Sequence, residues 1–242
     1  MKYNNLYAYP TSTRALIDGQ RHYDVGQEKL PSVTTILQAT QPEEKRLALE
    51  AWKTKVGKTN AEQIKNDAAT RGTTMHHILE SYIKGEPHLD MTETGTTAHL
   101  MADQIIKNGL QGRLNEYFGL EVTLWYPGLY AGATDVVGIY DNAESIVDFK
   151  QSNKPKRKEW ISDYLLQLAA YALAHNEVYG TAINKGVNLI CTKDNLYQEF
   201  IFEGKEFRQA KFDWLKRVDQ FYNERIKNNE PISSTQGPSN NS

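Results

Sequence analysis

The chain has 242 residues, a formal net charge of −2 and a single cysteine. That length suits one domain with appendages and can bury a core without disulfide or metal staples. The near-neutral balance excludes a wholly basic nucleic-acid-binding surface, and the lone Cys191 excludes a cysteine zinc site or an iron–sulfur cluster built from this chain alone. One cysteine also fits a reducing compartment. No apolar run approaches the roughly 20 residues of a membrane span, and the opening "MKYNNLYAYPTSTR" has no hydrophobic signal core, so the expected address is intracellular with no membrane contact.

Residues 1–30 are polar and aromatic with weak periodicity, and "LPSVTTILQAT" (30–40) starts like a turn and then reads apolar. "PEEKRLALEAWKTKVG" (42–57) predicts a helix, with Pro42 near its start and two glutamates in its first turn. Further helices are predicted over 60–84 and 92–108, separated by the break "GEPHLD". The period then changes. "LEVTLWY" (120–126), "YAGATDVVGIY" (130–140) and "ESIVDFK" (144–150) predict three strands joined by turns at "PG" and "DN". A helix over about 158–177, strands over 186–192 and 196–203, a final helix over 205–227 and a polar, disordered tail over 228–242 complete the order. Helices, strands, a helix, strands and a helix give an α/β class with a mixed sheet under helical cover. There are no internal repeats and no dinucleotide or P-loop glycine pattern.

Asp135 lies within the second of the three central strands and Asp148 near the end of the third. Consecutive strands are usually neighbours, so two carboxylates at comparable heights can share a divalent cation. Alternation puts Ile146, Asp148 and Lys150 on one face and Val147 and Phe149 on the other. A metal and a lysine on one face suit hydrolysis of a phosphate ester, because the metal activates water and the ammonium stabilises charge on phosphoryl oxygens. The same spacing also serves an ordinary surface salt bridge. Residues 145–160 carry five basic side chains against two acidic ones. Of these, Lys154, Lys156, Arg157 and Lys158 follow the lysine and are candidate phosphate contacts, or a solvated loop.

Upstream, His76 and Glu80 of "RGTTMHHILES" share a helix face, while Met75, Leu79 and Tyr82 form an apolar stripe. His76 is either a surface histidine bonded to Glu80 or a ring aimed at the acidic centre. Downstream, Trp160, Tyr164, Gln167 and Tyr171 line one side of a helix whose packing face is Leu165, Leu168 and Ala172. Gln167 and Tyr171 either meet the substrate or form a buried amide network.

In this order the elements resemble the PD-(D/E)XK nuclease superfamily and its RecB-like exonuclease branch. The matching pieces are Gly72 with His76 and Glu80, Glu121 opening the strand run, Gly132-Ala-Thr-Asp135 as G-x-x-D, Asp148-Phe149-Lys150 as D-x-K, and Gln167 with Tyr171 as Q-x-x-x-Y. "LPSVTTIL", Trp52, "RGTTMHHILE" and the Lys-Pro-Lys after Lys150 are similar to the mitochondrial genome maintenance exonuclease group with its phage and bacterial relatives. The likeness spans about residues 30–175.

The resemblance implies a restriction-endonuclease-like core over 116–227 that also uses the 60–84 helix, and a helical region over 1–115 packed on or arching over it. It implies a magnesium-dependent DNase, with manganese as a substitute, acting on single-stranded DNA with a free end. Asp135 and Asp148 would hold the metal with the Phe149 carbonyl, His76 as a ligand and Glu121 as an outer carboxylate. Lys150 would act on the water, and Glu80, Gln167 and Tyr171 would support the site and the DNA. Trp52, Tyr82 and Trp160 are candidates for base stacking, though each taken alone reads as core. A bacterial or phage-infected cytoplasm is the expected setting, with a single-strand annealing, replication or helicase protein as partner. The rival readings are an endonuclease on the same fold and a silent DNA-binding subunit.

Overall fold

A computed structural model describes residues 1–88 and 91–228. The tail expected over 228–242 lies outside the described residues except for Asn228. Among the described residues no helix is long and apolar enough to cross a membrane.

The centre is a six-stranded mixed sheet built from β1 (Lys2–Tyr3), β5 (Leu114–Tyr126), β6 (Tyr130–Tyr140), β7 (Ala143–Ser152), β8 (Lys185–Thr192) and β9 (Tyr197–Glu203), in the order β1-β5-β6-β7-β8-β9. β5, β6 and β7 form an antiparallel meander, β8 runs parallel to β7, and β9 returns antiparallel. The turn between β6 and β7 is the predicted "DN": Asp141 and Asn142 both take positive φ, as a two-residue hairpin turn requires. The parallel step from β7 to β8 needs a crossover, and α5 (Ser162–Tyr179) supplies it.

Alternation along the strands feeds two cores. Val137 and Ile146 face one side with Leu168, Ala169 and Tyr171 of α5 and with Phe207, Trp214 and Phe221 of α6 (Gly204–Lys227). Val136, Val147 and Phe149 face the other, against α3 (Lys58–Lys84) and α4 (Glu93–Ile105). This is the restriction-endonuclease-like arrangement of a mixed sheet flanked by helices. In α3 the buried residues Met75, Ile78, Leu79 and Ile83 recur at helical spacing, each contributing about 1.5–3 kcal/mol of apolar burial. That stripe presses the second half of α3 onto β7 and so fixes the height of His76 over the sheet.

Residues 1–31 depart from the helical region expected there. Beyond β1 they form a three-stranded antiparallel sheet of β2 (Ser12–Ile17), β3 (Gln20–Val25) and β4 (Glu28–Pro31). Asp18 and Gly19 take positive φ at the β2–β3 turn, a D-G hairpin signal. The signal is weak to the eye because "STRALI" buries no residue fully and "QRHYDV" mixes the buried His22, Tyr23 and Val25 with polar neighbours. Ser32 caps the short helix α1 (Val33–Ala39), its Oγ accepting from the Thr35 N–H, and it bridges to Ala131 of β6. The small sheet is thereby docked next to Gly132. Helix α2 (Glu43–Val56) buries no residue fully. Trp52, Tyr82 and Trp160, each read singly as core, are exposed at 38%, 37% and 59%.

Candidate active site

Register sets the site. Leu120 pairs with Val136 and Val122 with Thr134, so Glu121 lies opposite Asp135. Val136 pairs with Val147, so one step further Asp135 lies opposite Asp148, and Asp148 pairs directly with Asn188 of β8. Glu121, Asp135, Asp148 and Asn188 therefore form a row across four adjacent strands. The β6–β7 ladder stops at Val136, and the Asp135 carboxylate replaces the missing partner by accepting the Phe149 N–H at 2.6 Å. Glu121 has φ 52°, a left-handed conformation that costs a non-glycine residue about 1–2 kcal/mol.

His76 closes the row from α3. Its Nδ1 is 3.3 Å from Asp135 and 3.8 Å from Glu121, and its Nε2 is 2.9 Å from the Phe149 carbonyl. His77 instead lies 3.7 Å from Glu80, which Lys84 holds at 2.6 Å. The donor atoms of His76, Glu121 and Asp135 lie within 4.8 Å of one another. One imidazole, two carboxylates and a nearby backbone carbonyl are a nitrogen and oxygen set that fits a divalent cation. Asp148 stands beside this set. Lys150 donates to both its oxygens, at 2.7 and 2.6 Å, and Asn188 Nδ2 donates to Oδ2 at 2.9 Å. The salt bridge admitted by the D-x-K spacing is thus present, but it is buried at the end of the row rather than on the surface.

The charges are set by one another. Burial opposes protonation of His76, but the Asp135 carboxylate and hydrogen bonds to Asp135 and Glu121 outweigh it and push the ring up to about 10. Burial would raise Asp135, and His76 overrides it, holding the carboxyl below its usual range. Asp148 is pushed up to about 6, first by burial, with Lys150 opposing and Asp135 adding to the rise. Burial works against the charge on Lys150 too, yet Asp148 and Asp135 hold it above its ordinary value.

These residues line a cleft of about 730 Å³ between α3, α5 and the small sheet. Gln167 and Tyr171 form its α5 wall, Gln167 donating to the Tyr171 hydroxyl at 3.1 Å. The Tyr171 ring lies on Gly132. A Cβ there would meet it at 2.9 Å, which is why G-x-x-D and Q-x-x-x-Y belong to one piece of packing. Arg71 ties α3 to the chain after Lys150 by donating to Gln151 Oε1 and Asn153 Oδ1. Lys154, Lys156, Arg157 and Lys158, singled out as phosphate contacts, do not line the cleft. Lys158 pairs with Glu206, Arg157 lies over the Trp160 ring, and the Lys156 N–H donates to Gln198. Sequence reading missed Asn188, whose signal is an amide in the middle of the apolar run "GVNLICT", and Arg14 and Arg21, which enter the cleft from the small sheet.

No family model matches the chain. It is 30% identical over 216 residues to mitochondrial genome maintenance exonuclease 1 of Mus musculus, covering 84% of this chain and 61% of that protein. The Xenopus tropicalis protein of the same name is 31% identical over 204 residues, with 79% and 57% covered, and the Homo sapiens one 27% over 215 residues, with 82% and 60% covered. The chain therefore spans less than two thirds of the length of these relatives. A solved Laribacter hongkongensis alkaline exonuclease, at TM-score 0.28 and 13% identity over 64% of this chain and 83% of that one, is too distant to bear on the site. The ordered motifs, the row they form and the shared sequence with these exonucleases agree. The chain belongs to the PD-(D/E)XK nuclease superfamily, in its RecB-like branch.

Proposed function

We propose that the chain is a divalent-cation-dependent deoxyribonuclease that hydrolyses phosphodiester bonds from a free end and prefers single-stranded DNA. The observation that carries this reading is the row Glu121–Asp135–Asp148, closed by His76 and flanked by Lys150 in a cleft. His76, Glu121, Asp135 and the Phe149 carbonyl would hold magnesium, or manganese in its place, with Asp148 beside them. When bound, the cation would neutralise phosphate charge and acidify the attacking water. Lys150, anchored by Asp148, orients that water and stabilises charge gathering on the phosphoryl oxygens in line with the leaving 3′ oxygen. The products are 5′-phosphate and 3′-hydroxyl ends. Gln167 and Tyr171 keep the α5 wall at its distance from Asp135.

The preference for ends rests on α2. Lys45, in its first turn, donates to Ser162 and Asp163 of α5, at 2.8 and 3.0 Å, while its other end runs through Gly57 into α3. The helix thus links the two cleft walls, and on this reading a single strand with a free end would thread past it. On this reading residues 1–115 supply the wall and arch over a core of 116–227, in a bacterial or phage-infected cytoplasm. An annealing, replication or helicase protein would present the strand.

The test is cleavage of end-labelled linear single-stranded DNA beside closed circular single-stranded DNA, with magnesium and with EDTA. Loss of the linear strand alone, with magnesium alone and not by Lys150→Ala, is expected. Cutting of the circle would make the enzyme an endonuclease. Binding without cutting under several divalent metals would make it a silent DNA-binding subunit.

A further inference from the structure

The acidic row explains one end of the cleft and leaves the other unexplained. Direct cross-strand pairs share a face of a sheet, and Arg14 pairs with Tyr23 while Leu16 pairs with Arg21. Arg14, Leu16, Arg21 and Tyr23 therefore occupy one face of the β2–β3 hairpin. Three of them, Arg14, Arg21 and Tyr23, line the cleft. Tyr23 is buried and acts as a floor, with the Arg14 guanidinium 5.7 Å above its ring. Both arginines are exposed, and among the described residues neither guanidinium forms an ion pair. Elsewhere in the cleft the cations are already engaged, Lys150 by Asp148 and His76 by Asp135.

A strand that places one phosphate at the carboxylate row must lay its neighbouring phosphates along the cleft. The carboxylates repel them, and the basic loop after Lys150 does not reach the cleft. Two uncompensated guanidinium groups, each able to grip a phosphate with two parallel N–H donors, are the remaining complement.

We infer that Arg14 and Arg21 form a phosphate-binding subsite that grips the DNA backbone away from the scissile bond, so that the small amino-terminal sheet determines how firmly a strand is held in the cleft. The inference rests on the nuclease reading of the carboxylate row. Because the subsite holds ground state and transition state alike, it governs KM and leaves kcat at saturating DNA unchanged.

The experiment is binding of a fluorescein-labelled oligothymidylate by Lys150→Ala protein in magnesium over a series of salt concentrations, with Arg14→Gln, Arg21→Gln and both added. Steady-state cleavage is measured in the Lys150 background. Each phosphate contact on a single strand contributes about 0.7 to the slope of log K against log salt, so each variant should reduce the slope by about 0.7 and the pair by about 1.4. KM should rise with kcat unchanged, and Arg→Lys should restore part of the binding. Thermal unfolding identical to the parent establishes that the variants are folded, as two exposed side chains allow. An unchanged slope in folded variants, while the parent binds and cuts, overturns this subsite and leaves the nuclease reading intact. A lost slope in a protein that never cuts DNA upholds the subsite and overturns the nuclease reading. No DNA binding by the parent overturns both.

Discussion

Gly132→Ala tests the joint between the carboxylate row and its helical wall. A Cβ at this position would lie 2.9 Å from Tyr171 Cε1, 3.0 Å from its hydroxyl oxygen and 3.4 Å from Cζ. The ring cannot retreat freely, because Tyr171 is 3% exposed and its hydroxyl accepts from Gln167. Overpacking of this kind costs about 1–3 kcal/mol. At about 2–4 °C per kcal/mol for a chain of this size, Tm should fall by between about 2 and 12 °C. The displaced ring also carries Gln167, so cleavage should fall by more than the loss of folded protein explains. The assay is a double-mutant cycle of Gly132→Ala and Tyr171→Leu, read by thermal unfolding and by cleavage. A smaller side chain at 171 removes the obstacle, so the cost of Gly132→Ala should shrink by about 1 kcal/mol or more in that background. An equal cost in both backgrounds would refute the claim that Tyr171 is what requires glycine at 132.

Asn188→Ala removes a hydrogen bond to the Asp148 carboxylate, a loss of about 1.5–3 kcal/mol, but also a buried Oδ1 with no partner among the described residues, whose cost is about 1–3 kcal/mol. Stability should therefore change little, while the magnesium concentration for half-maximal cleavage should rise about 10–100-fold; an unchanged requirement would remove Asn188 from the site. His175 is buried between the Tyr9 and Thr181 hydroxyls, and burial lowers its pKa from the ordinary 6.5 to about 4. The folded state refuses a proton that the unfolded chain accepts, so this stability is complete above about pH 6.5 and is lost as pH falls towards 4, by up to about 3 kcal/mol. Denaturant titration should show a flatter pH dependence for His175→Gln across that window, and an identical slope would refute the assignment.

Most of the central sheet was legible because β6 to β9 read as short apolar runs and its turns, "PG" and "DN", carry their own chemistry, whereas β1 and the first half of β5 were not read as strands. The helices α3 to α6 were legible because their apolar positions recur at helical spacing, α2 because of Pro42 and its acidic first turn, while the short α1 was read only as an apolar stretch. The β2–β3–β4 sheet was not, although Asp18-Gly19 announces a hairpin. Its apolar residues are few, and Tyr23, Val25 and Leu30 pack on Ala131 of β6, a partner far along the chain. The site divides along the same line. His76, Glu121, Asp135, Asp148 and Lys150 were legible as motif residues, and the cross-strand register now accounts for their order. Which cations line the cleft was not legible from local charge. The densest basic run, 154–158, lies outside the cleft with Lys158 paired to Glu206, while two isolated arginines enter it from the small sheet.

The electrostatics of the row explain why these motif residues occur together. Three carboxylates brought opposite one another across adjacent strands repel, and burial makes the charges on Asp135 and Asp148 costlier still. Burial works against both carboxylates: at Asp135 it is outweighed by His76, Lys150 and the Phe149 N–H, whereas at Asp148 it prevails over Lys150 and His76, with Asp135 adding to the rise. His76 and Lys150 supply two positive charges against three acids, so with all of them ionised one negative charge remains in excess. A site that is nearly but not fully neutralised by its own side chains can exist without an ion and still attract one. Removing Lys150 makes the row more negative, which should favour a divalent cation even as it removes the group proposed to act on the water. Lys150→Ala is thus expected to bind magnesium at least as tightly as the parent while losing cleavage. Weaker magnesium binding by Lys150→Ala, measured by calorimetry on folded protein, would refute this balance of charges.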